Sequence, residues 1–206
     1  MTQIRHSEKV LFMKTVLAVL ILTFSLQSMI KAEDISDFEI EGISIGDSLL
    51  DFFSKNQIDN FPNYDEGTDL KFRISEFYET GNFKIDNYDV MQVYYKPNDQ
   101  QYIISGIRGA LFCKNKSECI NQHKKIINDL KNSFSDFNNS SSEKFKHPDD
   151  KTGESVVELL FLNLNKGYIT VRYTDWSDKI DFSDNVDVEI GTTEVEKWLR
   201  SNYGNN

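Results

Sequence analysis

The longest regular pattern of apolar residues lies in the middle of the chain and predicts a helix over about residues 117–137. Residues at steps of three and four form one stripe along it: Ile120, His123, Ile127, Leu130, Phe134 and Phe137. An apolar strand pattern, residues 102–112, comes directly before it, and the only two cysteines, Cys113 and Cys119, lie where the strand pattern passes into the helix pattern. We therefore expect strand, cysteines and helix to form one folded corner.

Alternating apolar and polar residues predict further strands on both sides of this corner. The segments are 38–46, 70–77, 88–96, 156–162, 168–173 and 186–190. Turn-forming sequences separate several of them, at 80–82, 97–99 and 165–167. Antiparallel strands that follow one another in a meander are the simplest arrangement. The polar stretch 138–153 is predicted to be a loop.

A short helix is predicted near each end of the folded part. Ser48 with Asp51, and Thr193 with Glu196, have the spacing of a capping box. The apolar faces behind these caps consist of Leu49, Leu50, Phe52 and Phe53, and of Val195, Trp198 and Leu199. The predicted fold class is α+β: an antiparallel β-sheet meander with one long central helix and short N- and C-terminal helices.

The first 32 residues have the three-part pattern of a secretory signal peptide. Basic residues precede the apolar run 16–26, and the small residue Ala32 closes the segment. The run is shorter than the roughly 20 residues that a membrane-spanning helix needs. We expect cleavage after Ala32, export to the periplasm or medium, and one domain over residues 33–206. The alternatives are an uncleaved anchor and a start at Met13.

The charge of the chain excludes some partners. It carries 33 Asp and Glu against 23 Lys and Arg, a formal net charge of −10. Such a surface repels phosphate backbones and anionic membranes, so we expect no nucleic-acid partner and no stable membrane insertion after signal cleavage. No phosphate-binding glycine loop is present in the sequence, and no cofactor is predicted.

Cys113 and Cys119 are six residues apart, and in an exported chain this pair predicts a disulfide. One alternative is a metal site that recruits His123, one helical turn from Cys119. It would supply only three ligands at a spacing unlike that of zinc motifs, so no metal site is predicted. Free thiols are the other alternative.

Three features are candidates for catalysis or cation binding. Gly42-Ile-Ser-Ile-Gly46 matches the G-x-S-x-G of a hydrolase, but Ser44 lies at the start of the domain and no glycine-rich oxyanion segment exists, which disfavours this chemistry. His123 is expected in the core and His147 in an exposed loop. An aspartate series lacks the order of a calcium loop and is predicted to be a solvated face, with a weak cation site as the alternative. It consists of Asp175, Asp178, Asp181, Asp184 and Asp187.

The strand at 88–96 suggests a binding surface because both of its faces carry apolar or aromatic residues. The more apolar set is assigned to the core: Met91, Val93 and Tyr95. Tyr88 and Tyr94, with the neighbouring Tyr102, are predicted to form a candidate binding surface.

Three segments, 38–51, 94–99 and 102–106, resemble a group of uncharacterised small exported bacterial proteins. The opening segment also resembles small outer-membrane-assembly lipoproteins, although no cysteine for lipid attachment follows the cleavage region. The resemblance implies export and no particular activity. We therefore predict a non-catalytic exported binding or envelope-accessory protein, with a protein or small-molecule partner in the cell envelope. The alternative is a secreted or periplasmic enzyme of unknown type. Its candidate catalytic residues would be Ser44, His147 or the aspartate series.

Overall fold

The computed structural model of the protein describes residues 34–64, 71–79, 83–134 and 137–203. The predicted signal peptide, with its cleavage site at Ala32, lies outside these residues, as does the predicted turn at 80–82. The strands are β1 (Glu39–Ile40), β2 (Ile43–Ser44), β3 (Arg73–Phe77), β4 (Val90–Tyr95), β5 (Ile104–Phe112), β6 (Ser140–Lys146), β7 (Val156–Leu164), β8 (Gly167–Asp175) and β9 (Asn185–Thr192). The helices are α1 (Lys55–Asp59), α2 (Lys116–Ser133) and α3 (Thr193–Tyr203).

Seven of the strands form one antiparallel sheet in the order β3-β4-β5-β9-β8-β7-β6. The order contains two meanders, β3 to β5 and β6 to β9, which meet where β5 pairs with β9. A large antiparallel sheet with a few helices confirms the α+β class. The chain must cross between the meanders, and α2 makes this crossing.

The inner face of the sheet, which packs against α2 and the N-terminal segment, carries the main hydrophobic core. Met91, Val93 and Tyr95 lie on it at 0%, 0% and 1% exposure, so their assignment to the core is confirmed. On α2 the buried stripe consists of Cys119, His123, Ile126 and Leu130. Close packing of such side chains, each removed almost completely from water, is the main source of stability in a domain of this size.

The outer face is the opposite side of the same sheet, and α3 packs on one end of it. Val195 and Trp198 of α3 form a second, smaller core with residues of β3 and β4 and the residue just before β3: Phe72, Ile74 and Tyr94. The cap lies one residue earlier than predicted, at Thr192 instead of Thr193, because the Thr192 hydroxyl accepts the Val195 N–H at 3.3 Å.

The N-terminal segment differs from its prediction. Residues 38–46 form a tight hairpin of β1 and β2 instead of one strand, because Glu41 and Gly42 both have positive φ, as a two-residue hairpin turn requires. The predicted helix after Ser48 is a single 3-10 turn followed by the five-residue α1, which starts from a second capping box at Ser54 and Gln57.

Residues 140–146 correct the prediction of a loop at 138–153. They form β6, an edge strand that pairs with β7 along its whole length. Six of its seven residues are exposed on both faces, so the sequence has no apolar alternation to reveal a strand. Helix α2 ends at Ser133, earlier than predicted, because Phe134 turns to an extended backbone.

The corner between β5 and α2 is closed by a disulfide between Cys113 and Cys119, whose Cα atoms are 5.5 Å apart. Cys119 is fully buried against the inner core. Within the described ranges, no helix is long and apolar enough to cross a membrane.

Candidate binding face

The outer face divides into a part that lies under α3 and a part beyond α3, which contains both buried and exposed side chains. Side chains of β3, β4, β5, β9 and β8 alternate between the two faces, so the strand register places Tyr94, Gly106, Gly191 and Tyr168 in one row under α3. Further along the strands, beyond the helix, lie the rows that contain Arg108, Asp187 and Phe112. We call this second part the open face.

At the border between the two parts, two tyrosines bind one buried glutamate. The rings of Tyr94 and Tyr168 lie over Gly106 and Gly191, where a Cβ atom would come within 2.8 and 2.6 Å of them. This lets both hydroxyls donate to Glu189, from Tyr94 at 2.9 Å. Burial, and then the Glu189 carboxylate, raise the pKa of both phenols far above the usual range, so they remain protonated donors.

The centre of the open face is a carboxylate shared by two arginines. Asp187 is 1% exposed and accepts from Arg108 Nη2 at 3.2 Å and from Arg172 Nε at 2.9 Å. Burial would raise the pKa of Asp187, but the two guanidinium groups outweigh burial and hold it below the usual value. The arginine side chains are 24% and 31% exposed, so their outer edges reach solvent above the buried acid.

The hydrogen bonds continue from this centre towards the β3 edge. Arg108 Nη1 donates to Gln92 at 3.3 Å, and Gln92 Nε2 donates to Glu76 at 2.8 Å. Glu76 also accepts from the hydroxyls of Tyr64 and Tyr78, at 3.0 and 2.7 Å. The bond to Glu76 is the main reason why the pKa of Tyr78 rises to about 12.

These bonds link five neighbouring strands. The connected residues are Glu76, Gln92, Arg108, Asp187 and Arg172, on β3, β4, β5, β9 and β8 in that order. In this order the side chains are negative, neutral, positive, negative and positive. Side chains held by such a network are fixed in position before any ligand arrives.

Exposed aromatic side chains lie beside the network. Phe112 and Phe145 belong to one row across β5, β9, β8, β7 and β6 and are 49% and 40% exposed. Four strand spacings separate them by about 19 Å. Trp176 continues the outer-face alternation of β8, and its ring lies 4.1 Å from His147 and 4.8 Å from Phe182, which is 66% exposed.

The prediction that three tyrosines form an exposed binding surface is wrong, because they are not exposed together. Tyr94 is 3% exposed because α3 covers it, and Tyr102 is 9% exposed because its ring packs on Tyr95 and its hydroxyl is bonded to Lys55 and Asp59. Tyr88 is half-buried, with its ring over Gly109 on the inner face. The three side chains therefore do not share one open surface.

The residues considered for catalysis are not brought together. Ser44 lies in β2, where its N–H is bound by Asp47 at 2.8 Å, and no hydrogen bond joins its hydroxyl to either described histidine. His123 belongs to the buried stripe of α2, and His147 packs on Trp176; burial lowers the pKa of both. A general base, a nucleophile and an acid are therefore not assembled around Ser44.

The aspartate series is dispersed. Asp187 binds the two arginines, Asp175 binds Lys116, and Asp184 accepts the N–H of Trp176 at 2.8 Å. No cluster of three metal-binding side chains occurs in the part of the chain that the structure describes. The sequence signal for this network is that Arg108, Arg172 and Asp187 are charged residues within the predicted strands.

The open face therefore combines a connected polar network with exposed aromatic rings. Comparison with protein-family models, with curated proteins and with solved structures found no match for this chain.

Proposed function

We propose that the protein is an exported, non-catalytic binding protein of the cell envelope, and that the open face of its sheet is the binding surface. One observation carries the proposal: two half-buried arginines are held over the buried Asp187, with the exposed rings of Phe112 and Phe145 to either side. In this proposal α2 is the central helix that supports the sheet from its inner side.

The composition of the open face supports this reading. Arginine and aromatic residues are enriched at the centres of protein interfaces, where they contribute most of the binding energy. Arg108 and Arg172 satisfy the buried Asp187, but their outer edges also reach solvent, and exposed phenylalanines beside them carry a solubility cost. Among the described residues no hydrogen bond uses the terminal nitrogens of Arg172, so they are available to a partner.

A capture experiment tests the binding surface. The protein is immobilised and exposed to envelope extract of its source bacterium, beside a variant with Phe145→Ser and Phe182→Ser. Leu50→Ser is the matched control, since Leu50 is equally exposed at 43% but lies in the N-terminal segment. We expect a retained component that the double variant loses and the control keeps. Equal retention by all three proteins would contradict the proposal.

Export is a separate part of the proposal and needs its own test. It rests on the signal-peptide pattern, the disulfide and the resemblance to small exported proteins. Mass spectrometry of the protein from cells should show a chain that begins at Glu33. A mass that still includes residues 13–32 would mean that the segment is retained as an anchor.

The alternative function, an enzyme at Ser44, makes the opposite prediction. Ser44→Ala should leave the capture result unchanged, because Ser44 belongs to the N-terminal hairpin. Labelling by a fluorophosphonate probe that disappears in the Ser44→Ala variant would show a reactive serine and favour the hydrolase.

A further inference from the structure

A concavity of about 130 Å³, partly open to solvent, lies on the open face between β3 and β9. Val90 and Ala110 form its floor, and their small size is the reason why the sheet surface is depressed here. Phe112 forms one wall with its exposed ring. The volume is below the roughly 300 to 1,000 Å³ that is usual for sites of drug-sized molecules, so the concavity suits a small ligand.

The polar groups around this concavity offer both donors and acceptors. Glu76, Gln92 and Arg108 line one side and Asn185 lies at the other. Gln92 uses one amide N–H on Glu76, and Arg108 uses two of its five N–H groups on Gln92 and Asp187. Donors therefore remain on Gln92 and Arg108, and acceptor oxygens remain on Asn185 and Glu76, whose three bonds leave part of its capacity unused.

The charges in the concavity cancel. An anion that approaches Arg108 also meets the carboxylate of Glu76, and a cation that approaches Glu76 meets the guanidinium of Arg108. Neither kind of ion gains a clear advantage. The net charge of the whole chain, −10, further disfavours phosphorylated ligands.

We propose that this concavity binds a neutral polyhydroxylated ligand, a sugar ring, with the ring face on Phe112 and its hydroxyls on Glu76, Gln92, Arg108 and Asn185. A hydroxyl both donates and accepts, so neighbouring hydroxyls satisfy the mixed groups that no single ion can. The apolar C–H face of a sugar then covers Phe112, Val90 and Ala110. The inference rests on the proposed binding function, since it names a ligand for part of the open face.

Saturation-transfer NMR on the whole protein tests the ligand class. The probes are glucose, galactose, mannose and N-acetylglucosamine, with acetate, glycine and adenosine as comparison ligands. We expect saturation transfer to at least one sugar and none to the comparison ligands. Transfer to no sugar, or a stronger response from acetate, glycine or adenosine, would overturn the proposal.

Three variants locate the site. Phe112→Ala should weaken sugar affinity about tenfold, the scale of losing an aromatic contact at the centre of a site. Ala110→Leu should abolish binding by filling the floor without removing a polar group. Leu50→Ala is the matched control, because Leu50 is 43% exposed but lies in the N-terminal segment, outside the concavity, and this variant should bind normally. A thermal melt of each variant checks its fold; equal loss in Leu50→Ala would refute the location.

Different results would refute the sugar proposal and the proposed binding face. If no sugar binds while capture of the envelope component still depends on Phe145 and Phe182, the sugar is refuted and the binding face stands. If the double variant also captures normally, the proposed function is refuted as well.

Discussion

The two faces of the sheet are both buried in large part, but by different means. On the inner face the most buried side chains, such as Met91 and Val171, are apolar and need only to be packed. On the outer face Asp187 and Glu189 are equally enclosed, and each needs specific donors from neighbouring strands. An apolar core tolerates exchange of one hydrophobic residue for another, whereas a buried polar network fails when one member is lost. The buried residues of the outer face can therefore be exchanged less freely than those of the inner face.

The sharpest test of this comparison uses neighbours on β4. Tyr95 lies on the inner face and Tyr94 on the outer face, at 1% and 3% exposure. Replacing either by alanine should lower the free energy of unfolding by about 4 kcal/mol, the scale for aromatic residues in a core. Denaturant titration measures both losses, with Phe182→Ala as an exposed control that should change stability by less than about 0.5 kcal/mol. A small loss for Tyr94→Ala would mean that α3 does not cover the outer face.

Asp187→Asn should have the next largest effect. The change keeps the shape of the side chain but leaves Arg108 and Arg172 close together without their shared negative charge. We expect a loss of about 3 kcal/mol of unfolding free energy, as for other buried ion pairs that lose one partner. Asp181→Asn is the control, because Asp181 is exposed, and should be neutral. Equal stability of the two variants would show that the arginines are held by something other than Asp187.

Reduction of the Cys113–Cys119 disulfide should cost about 2 kcal/mol, because the loop that it closes is short and restrains the unfolded chain only modestly. The fold should persist, since Cys119 remains buried in the inner core. Unfolding titrations with and without reductant measure the loss. Two reactive thiols in the unreduced, denatured protein would contradict the bond itself.

The smallest effect concerns pH and His123 on the inner face. Burial lowers its pKa, so the unfolded chain takes up a proton at a higher pH than the folded chain does. The stability from neutral His123 is complete above its unfolded pKa of about 6.5 and declines as pH falls below that value. Unfolding free energy should therefore be lower at pH 5.5 than at pH 7.5. His147 has the same direction of shift, so His123→Gln should reduce the difference and leave a remainder. An unchanged difference would mean that His123 is solvated.

Strands, turns and the C-terminal helix could be predicted where apolar residues recur regularly. The pattern around Val195 and Trp198, for example, indicated the helix that packs on the outer face. Two features had no such signal. Strand β6 is polar on both faces, and only its pairing with β7 makes it a strand. The hairpin at 38–46 depends on two positive φ angles that alternation conceals.

The three tyrosines do not form the predicted exposed surface, because alternation shows which residues share a face but not what covers that face. Tyr94 was assigned to an open surface, and α3, far along the chain, covers it. The strand order explains the rest: β5 pairs with β9, not with a neighbour in sequence, and this pairing brings Arg108 beside Asp187. Contacts between residues so distant in sequence leave no local pattern.

Oxidative footprinting of the exposed side chains tests the central claim most directly. Hydroxyl radicals label accessible rings, and the labelling is compared for the free protein and for the protein bound to the captured envelope component. We expect Phe112, Phe145 and Phe182 to become protected, because they are exposed on or beside the open face. Leu50 should keep its labelling, because it is exposed on the N-terminal segment. Protection of Leu50 with unchanged labelling of the three phenylalanines would contradict a binding surface on the open face.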